Sequence, residues 1–169
     1  DVETLRAEAG LYGNFSDKEQ WRLKAYYFQS SRGLPKATTL YNDFSAQHLW
    51  DKNAFIQSQY KKEFSRQWVF RTSAKWNWSY QHYLDPAIQQ EYYLSASVLY
   101  RLLNNLSFSL STDGSINTMN ANMADFAHPT RYSWLTAIAG KYVNEWFTLS
   151  ASALATVINE QADKGGSAG

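Results

Sequence analysis

The chain has 169 residues, which is enough for one domain with a sizeable core. Its 16 Lys and Arg residues nearly balance its 15 Asp and Glu residues, so it lacks the basic excess that most nucleic-acid-binding proteins carry. It contains no cysteine, which excludes a disulfide framework and thiolate metal sites.

Apolar and polar residues begin to alternate near the N-terminus. Residues 4–11 place Leu5, Ala7 and Leu11 on one face and polar side chains between them, and residues 22–27 repeat the pattern with Leu23 and Ala25. A period of two predicts β-strands. A third and less regular strand is predicted over residues 54–64.

The clearest alternation runs from Trp68 to Tyr80. One set of alternate residues is apolar or aromatic: Trp68, Phe70, Thr72, Ala74, Trp76, Trp78 and Tyr80. The other set is mostly polar: Val69, Arg71, Ser73, Lys75, Asn77 and Ser79. A helix over the same residues would have no apolar stripe, so this segment predicts a strand with Trp76 and Lys75 on opposite faces.

Further strands are predicted over residues 92–102, 106–111, 131–143 and 147–157. In residues 131–143 both alternate sets are partly apolar, since Trp134 and Ile138 oppose Leu135 and Ala137. The orientation of that strand stays open. The total is about eight strands, each close to the roughly 9–11 residues that a tilted membrane-crossing strand needs.

The predicted connections fall into two kinds. Short turns are expected at residues 14–20, 65–66, 104–105 and 144–145, and longer loops at 34–53, 84–90 and 117–130. Alternation of short and long connections is typical of outer-membrane barrels, in which periplasmic turns are short and extracellular loops are longer.

Aromatic residues supply 17% of the chain, yet the mean hydropathy is only −0.51. A polar lumen combined with aromatic girdles at two membrane interfaces would produce this composition. We therefore predict an all-β, antiparallel, up-and-down transmembrane β-barrel wall in a bacterial outer membrane. The alternative is a soluble antiparallel sandwich or barrel, which also alternates with a period of two.

Four short segments carry a resemblance to a known family. They are Ser31-Arg32-Gly33-Leu34-Pro35, Gln47-His48-Leu49-Trp50-Asp51, Tyr83-Leu84-Asp85-Pro86 and Pro129-Thr130-Arg131-Tyr132. In this order and spacing, the chain resembles TonB-dependent outer-membrane receptors, and most of all the vitamin B12 and siderophore receptor-like members.

The resemblance implies a 22-stranded barrel with a plug domain in its lumen. Residues 1–169 would form a partial barrel domain from the middle of that wall, without a plug or an energy-coupling segment for TonB. The implied function is import of a large scarce ligand, a corrinoid or ferric siderophore. The implied partners are outer-membrane lipid, the plug and remaining strands of the parent receptor, TonB acting through the plug, and the extracellular ligand.

Candidate site residues are few. Four aromatic residues in the predicted long loops are expected to contact ligand: Tyr41, Phe44, Trp50 and Phe126. The three histidines, His48, His82 and His128, are too scattered to predict a metal site, and no cofactor is predicted. No catalytic triad or close carboxylate pair is visible, so the chain is not expected to be an enzyme.

Four basic residues are expected to point into the lumen, because a charge that faces lipid costs about 2–4 kcal/mol at mid-membrane. They are Arg32, Arg71, Lys75 and Arg101. The alternative function is a passive porin or a small adhesive outer-membrane barrel. Eight strands could close by themselves, but the charges would crowd the lumen. Leu5–Leu11 is therefore not expected to pair with Phe147–Val157.

Overall fold

The computed structural model describes residues 2–33, 48–83, 85–123 and 126–164. They form eight strands: β1 Val2–Ser16, β2 Glu19–Gly33, β3 His48–Glu63, β4 Trp68–His82, β5 Pro86–Arg101, β6 Leu106–Ala121, β7 Ala127–Val143 and β8 Thr148–Lys164. Within these ranges, no helix is long and apolar enough to cross a membrane.

The eight strands form one antiparallel sheet whose spatial order, β1 to β8, is also the chain order. The predicted all-β up-and-down architecture is therefore confirmed. The residues of Leu5–Leu11 pair with β2 and those of 148–157 pair with β7. Because β1 and β8 do not pair with each other, the sheet is open, as expected from the crowding argument.

Strand register confirms the predicted faces of β4. Trp76 pairs with Ile56 on one side and Tyr92 on the other, whereas Lys75 pairs with Gln57 and Tyr93. Directly opposed residues share a face and successive residues alternate. We call the face that carries Trp76 the apolar face and the one that carries Lys75 the polar face.

The register also decides the orientation of β7. Trp134 lies opposite Gly114, and Ile138 lies opposite Leu110, so both belong to the apolar face. A Cβ atom on Gly114 would meet the Trp134 ring at 3.4 Å. The large ring covers the strand where a neighbouring side chain is missing, an arrangement that stabilises glycine in sheets.

The strands are longer and the loops shorter than predicted. Strand lengths are 15 to 17 residues, and strands extend into all three loops predicted at 34–53, 84–90 and 117–130, since β3 begins at His48, β5 at Pro86 and β7 at Ala127. The predicted strict alternation of short and long connections was therefore wrong: residues 83–85 are as short as a turn. The strand ends could not be recognised in polar stretches such as Asp51–Asn53, because residues on both faces are polar there and the alternation is lost.

The sheet is a single layer. Its accessible surface is 13080 Å² for a mass of 19.4 kDa, whereas a compact monomer of that mass exposes about 8,500 Å². Only two apolar side chains of the described ranges, Val69 and Ala121, are buried. A soluble sandwich would cover one face with a second layer, and the described strands provide none.

In the edge strand β8, every second backbone N–H has no partner among the eight described strands. Asn144 N donates to Phe147 O at 2.8 Å, and Val143 N donates to Asn105 O at 2.8 Å. Since hydrogen-bonded pairs alternate along an antiparallel ladder and the β7–β8 register has no shift, Ala153 bonds to β7. The N–H groups of Ser152 and Leu154 consequently point to the open edge.

Candidate functional site

The apolar face of the central strands is free of formal charge. Over β4, β5, β6 and β7, none of the residues on this face is Asp, Glu, Lys or Arg. Many of its large side chains are exposed, including Leu94 at 61%, Trp134 at 56% and Ile138 at 57%. An apolar surface of this size marks an interaction surface with protein or membrane.

We call the part of the apolar face without charged residues the uncharged band. Strand β3 shows where this band ends. On the apolar face, Lys52 and Lys62 are ten residues apart, with Ala54, Ile56, Ser58 and Tyr60 between them. Lys62 forms an ion pair with Glu19 at 3.4 Å. Ten residues span about 34 Å along a strand. At a tilt of about 40° this projects to about 26 Å, close to the apolar height of about 25 Å in outer-membrane barrels.

Aromatic side chains form a row near the short turns. This turn-side row consists of Trp21, Tyr60, Trp68, Tyr100, Phe108 and Tyr142. The Trp68 and Tyr100 rings lie 4.4 Å apart between centroids, and Tyr60 donates a hydrogen bond to the Glu19 carboxylate. Phenol and indole groups next to charged residues are typical of a membrane interface.

The turn-side row crosses the strands obliquely. Following the register from Trp21 through Tyr60 and Thr72 leads to Thr136 on β7, but the aromatic residue of β7 is Tyr142, six positions further on. Six residues span about 20 Å, and the five strand spacings between β2 and β7 span about 24 Å. The row is therefore inclined by about 40° to the perpendicular of the strands. If the row lies level in a membrane, the strands are tilted by the same angle, which is within the 35–45° tilt of strands in membrane barrels.

A second aromatic row lies toward the other end of the strands. This loop-side row consists of Tyr27, Trp76, Trp78, Tyr92, Tyr132 and Trp134. It slopes in the same direction, because the register carries Tyr27 to Thr130 and the β7 aromatics lie two and four residues nearer the turns. The two aromatic rows bound the uncharged band on both sides.

The polar face has a different chemistry. It holds the predicted lumen residues Arg32, Arg71, Lys75 and Arg101 together, as expected from their alternation. Hydroxyl and carboxylate groups bond across its strands: Ser73 and Ser95 hydroxyls lie 2.8 Å apart, and the Tyr93 hydroxyl donates to Asp113 at 3.0 Å. These cross-strand bonds fix the polar side chains at mid-strand.

Trp50 is placed differently from the prediction. It lies in β3 on the apolar face, not in a loop, and its ring meets the His82 ring edge-on at 5.7 Å. The Tyr80 ring packs next to His82 on the same face. Trp50 is thus an aromatic residue of the apolar face that packs against its neighbouring strand, and its contact with a ligand stays a prediction.

The other predicted ligand residues are not brought together with Trp50. Phe126 lies in the connection between β6 and β7 with its ring 5.7 Å from that of His128. Four strand spacings, about 19 Å, separate β7 from β3. Tyr41 and Phe44 lie outside the described residues. Across the described ranges there is no group of three or more His, Asp or Glu side chains that could hold a metal ion.

A groove of about 520 Å³ opens on the polar face near the short turns. Three basic residues from adjacent strands line it: Arg22 on β2, Lys61 on β3 and Arg71 on β4. Of these three residues only Arg71 is among those predicted to face the lumen, because periodicity shows which face a residue occupies but not which residue opposes it. The four-residue turn 64–67 sets the register that places Lys61 opposite Arg71. Knowing the length of this turn would have allowed the pairing to be predicted.

No protein-family model matches the chain, and no curated protein is significantly similar to it. The uncharged band with its two aromatic rows, and the polar face with its basic groove, are therefore the features on which a function can be argued.

Proposed function

We propose that the chain is a section of the wall of an outer-membrane receptor that imports a large scarce ligand, a corrinoid or ferric siderophore, by TonB-dependent transport. The observation that carries the membrane part is the uncharged band, about 26 Å high after the tilt correction and bounded by Lys52, Lys62 and two aromatic rows. The open edges of the sheet support a wall that continues into further strands.

The receptor part of the proposal rests on the sequence resemblance and on the polar face. A polar face that spans eight strands and carries both basic and acidic side chains suits the water-filled or plugged lumen of a large barrel. A small adhesive barrel needs its first and last strands to pair, and in this sheet they are seven strands apart. A passive porin with the same wall remains the rival to be tested.

Energy dependence separates the receptor from the porin. We expect cells that carry the full-length protein to accumulate a radiolabelled corrinoid or ferric siderophore only while the TonB system is active. Uptake that continues in cells lacking TonB would assign the wall to a passive channel. An unrelated small sugar, which crosses passively through other channels, serves as the control solute in both strains.

Ligand recognition is expected in the loops, since loops carry binding residues while the wall carries stability. Replacing Tyr41 and Trp50 together with Ala should weaken binding of the transported ligand to the full-length receptor, while the barrel still assembles. Trp50→Ala alone separates the two contributions, because Trp50 lies in β3: a loss as large as in the double variant would assign recognition to Trp50, and no loss would assign it to Tyr41. Unchanged affinity in the double variant would remove both residues from the binding site.

A further inference from the structure

The basic groove on the polar face contains more positive charge than its neighbours neutralise. Lys61 has a carboxylate partner, Glu63, at 2.6 Å. Arg22 and Arg71 have none within ion-pair distance among the residues that the structure describes. Arg22 and Arg71 are both exposed residues, and both line the same groove.

Nearby cations on the same face are occupied, which sets Arg22 and Arg71 apart. Lys24 binds Glu8 at 2.8 Å, and Lys75 lies over the Phe55 ring at 5.2 Å. Arg131, near the opposite end of the sheet, has a two-bond contact with Glu160 at 2.9 and 3.2 Å. Arg6 and Arg32 also form ion pairs with carboxylates, whereas Glu63, the carboxylate whose charge Arg71 senses, is already bound by Lys61.

The register places like charges close together. Lys61 lies directly opposite Arg71 across the β3–β4 pair, where Cβ atoms are about 4.5–5.5 Å apart, and like charges at such positions are destabilising. Arg22 is the diagonal neighbour of Lys61, because Gln20 pairs with Lys61 and Arg22 pairs with Gln59. Three cations thus face one volume, and an anion between them would turn repulsion into attraction.

The floor of the groove supplies neutral hydrogen-bond donors. The side chains of Gln59, Ser73, Ser95 and Ser97 line it. Because the Ser73 and Ser95 hydroxyls share one hydrogen bond, Gln59, Ser97 and one of that serine pair are left to donate to an oxyanion. Serine is small, so the floor is recessed relative to the long basic side chains around it. A guanidinium group binds a carboxylate or phosphate through two parallel hydrogen bonds. The free hydroxyl donors of the floor are placed to bind further oxygen atoms of the same anion.

We propose that this groove is a binding site for an oxyanion, a phosphate or carboxylate group carried by a small solute that enters the lumen. The site rests on the proposed function only in that the polar face must line a lumen. It adds a property that the proposed function lacks, which is preference for negatively charged solutes at the turn-side end of the wall.

The test is binding of two probes, inorganic pyrophosphate and organic citrate, to the full-length protein in detergent micelles, measured by isothermal titration calorimetry at constant ionic strength. Arg71→Gln and Arg22→Gln should each weaken binding of the preferred probe about tenfold or more, because a charged hydrogen-bonding partner is lost. The preferred probe tells phosphate from carboxylate recognition.

Arg131→Gln is the matched control, since it removes the same charge from the same face at a distant, paired position. Equal weakening in Arg131→Gln and Arg71→Gln would mean general electrostatic attraction and would overturn the proposal. Equal affinity in all variants, or no binding of either probe to the unaltered chain, would overturn it as well. Circular dichroism checks that each variant keeps its sheet, and Arg71→Lys, which keeps the charge, should lose less affinity than Arg71→Gln.

Failure of this test would not touch the membrane proposal, because barrel assembly is measured independently. If a carboxylate of another protein segment occupies the groove, it would pair with the arginines and neither probe would bind. That result would also count against the solute site. Selective loss in the two groove variants is the result that supports an oxyanion site.

Discussion

Replacing Ile138 with Arg is expected to abolish or severely weaken insertion of the protein into lipid vesicles. Ile138 lies on the apolar face of β7, four residues from Trp134 and four from Tyr142, and so midway between the two aromatic rows. An arginine at mid-membrane on the lipid side costs about 2–4 kcal/mol. Denaturant titration of the protein in vesicles measures the change in the free energy of unfolding.

The neighbouring residue provides the control for this substitution. Ala137 lies on the polar face, opposite Ser111 and Leu154, and Ala137→Arg adds the same side chain to the same strand. We expect its effect to stay within about 0.5 kcal/mol, as for an ordinary surface substitution. If the two variants lose the same stability, the two faces do not meet different solvents, and the membrane orientation is wrong.

Ser152→Pro is the second substitution with a large expected effect. The Ser152 N–H points to the open edge of β8 and has no partner within the eight strands. In a complete membrane barrel the next strand must accept this hydrogen bond, because lipid offers no acceptor. Removing the donor leaves an unpaired backbone group on that strand, which costs roughly 2–7 kcal/mol without water.

The readout is the fraction of full-length protein that assembles in vesicles, measured by protection from added protease. Ser152→Ala is the control, because it keeps the backbone N–H and changes only a polar-face hydroxyl. Normal assembly of Ser152→Pro would mean that β8 is a true edge and that the wall ends there. Amide hydrogen exchange gives a second measurement. If β8 is paired on both sides in the membrane, the N–H groups of Ser152 and Ala153 should be equally protected from exchange.

Much of the fold could be predicted from the sequence where the two faces of a strand differ in polarity. In β4, an indole or small apolar residue alternates with Arg71, Ser73 and Lys75, and this pattern gave the correct facing for every residue. In β7 the polar face includes Leu135 and Ala137, so periodicity could not decide. Only pairing with β6, where Gly114 and Trp134 fit together, determines the orientation.

The strand ends could not be predicted, for a related reason. Toward the loop-side ends of the strands both faces become polar, as in residues 89–91 of β5 and 51–53 of β3. Alternation then carries no signal, and a strand resembles a loop. The misplacement of Trp50 follows directly from this, because the polar residues after it suggested a loop.

The basic groove shows a different limit of sequence reasoning. Each of its cations is visible in the sequence, and alternation assigns Arg71 to the polar face. Their proximity depends on two independent registers, β2 against β3 and β3 against β4. A one-residue slip in either would send one cation to the apolar face, so the site exists only in the assembled sheet.

The identity of chain order and spatial order has a consequence for folding. Every pairing joins a strand to its neighbour in sequence, so each hairpin forms from contacts that are local along the chain, and the sheet can grow one hairpin at a time. Such a topology has low contact order, which favours rapid formation of each pairing. It also means that a hairpin could be duplicated or deleted without crossing any other connection, so the circumference of such a wall can change through the gain or loss of whole hairpins.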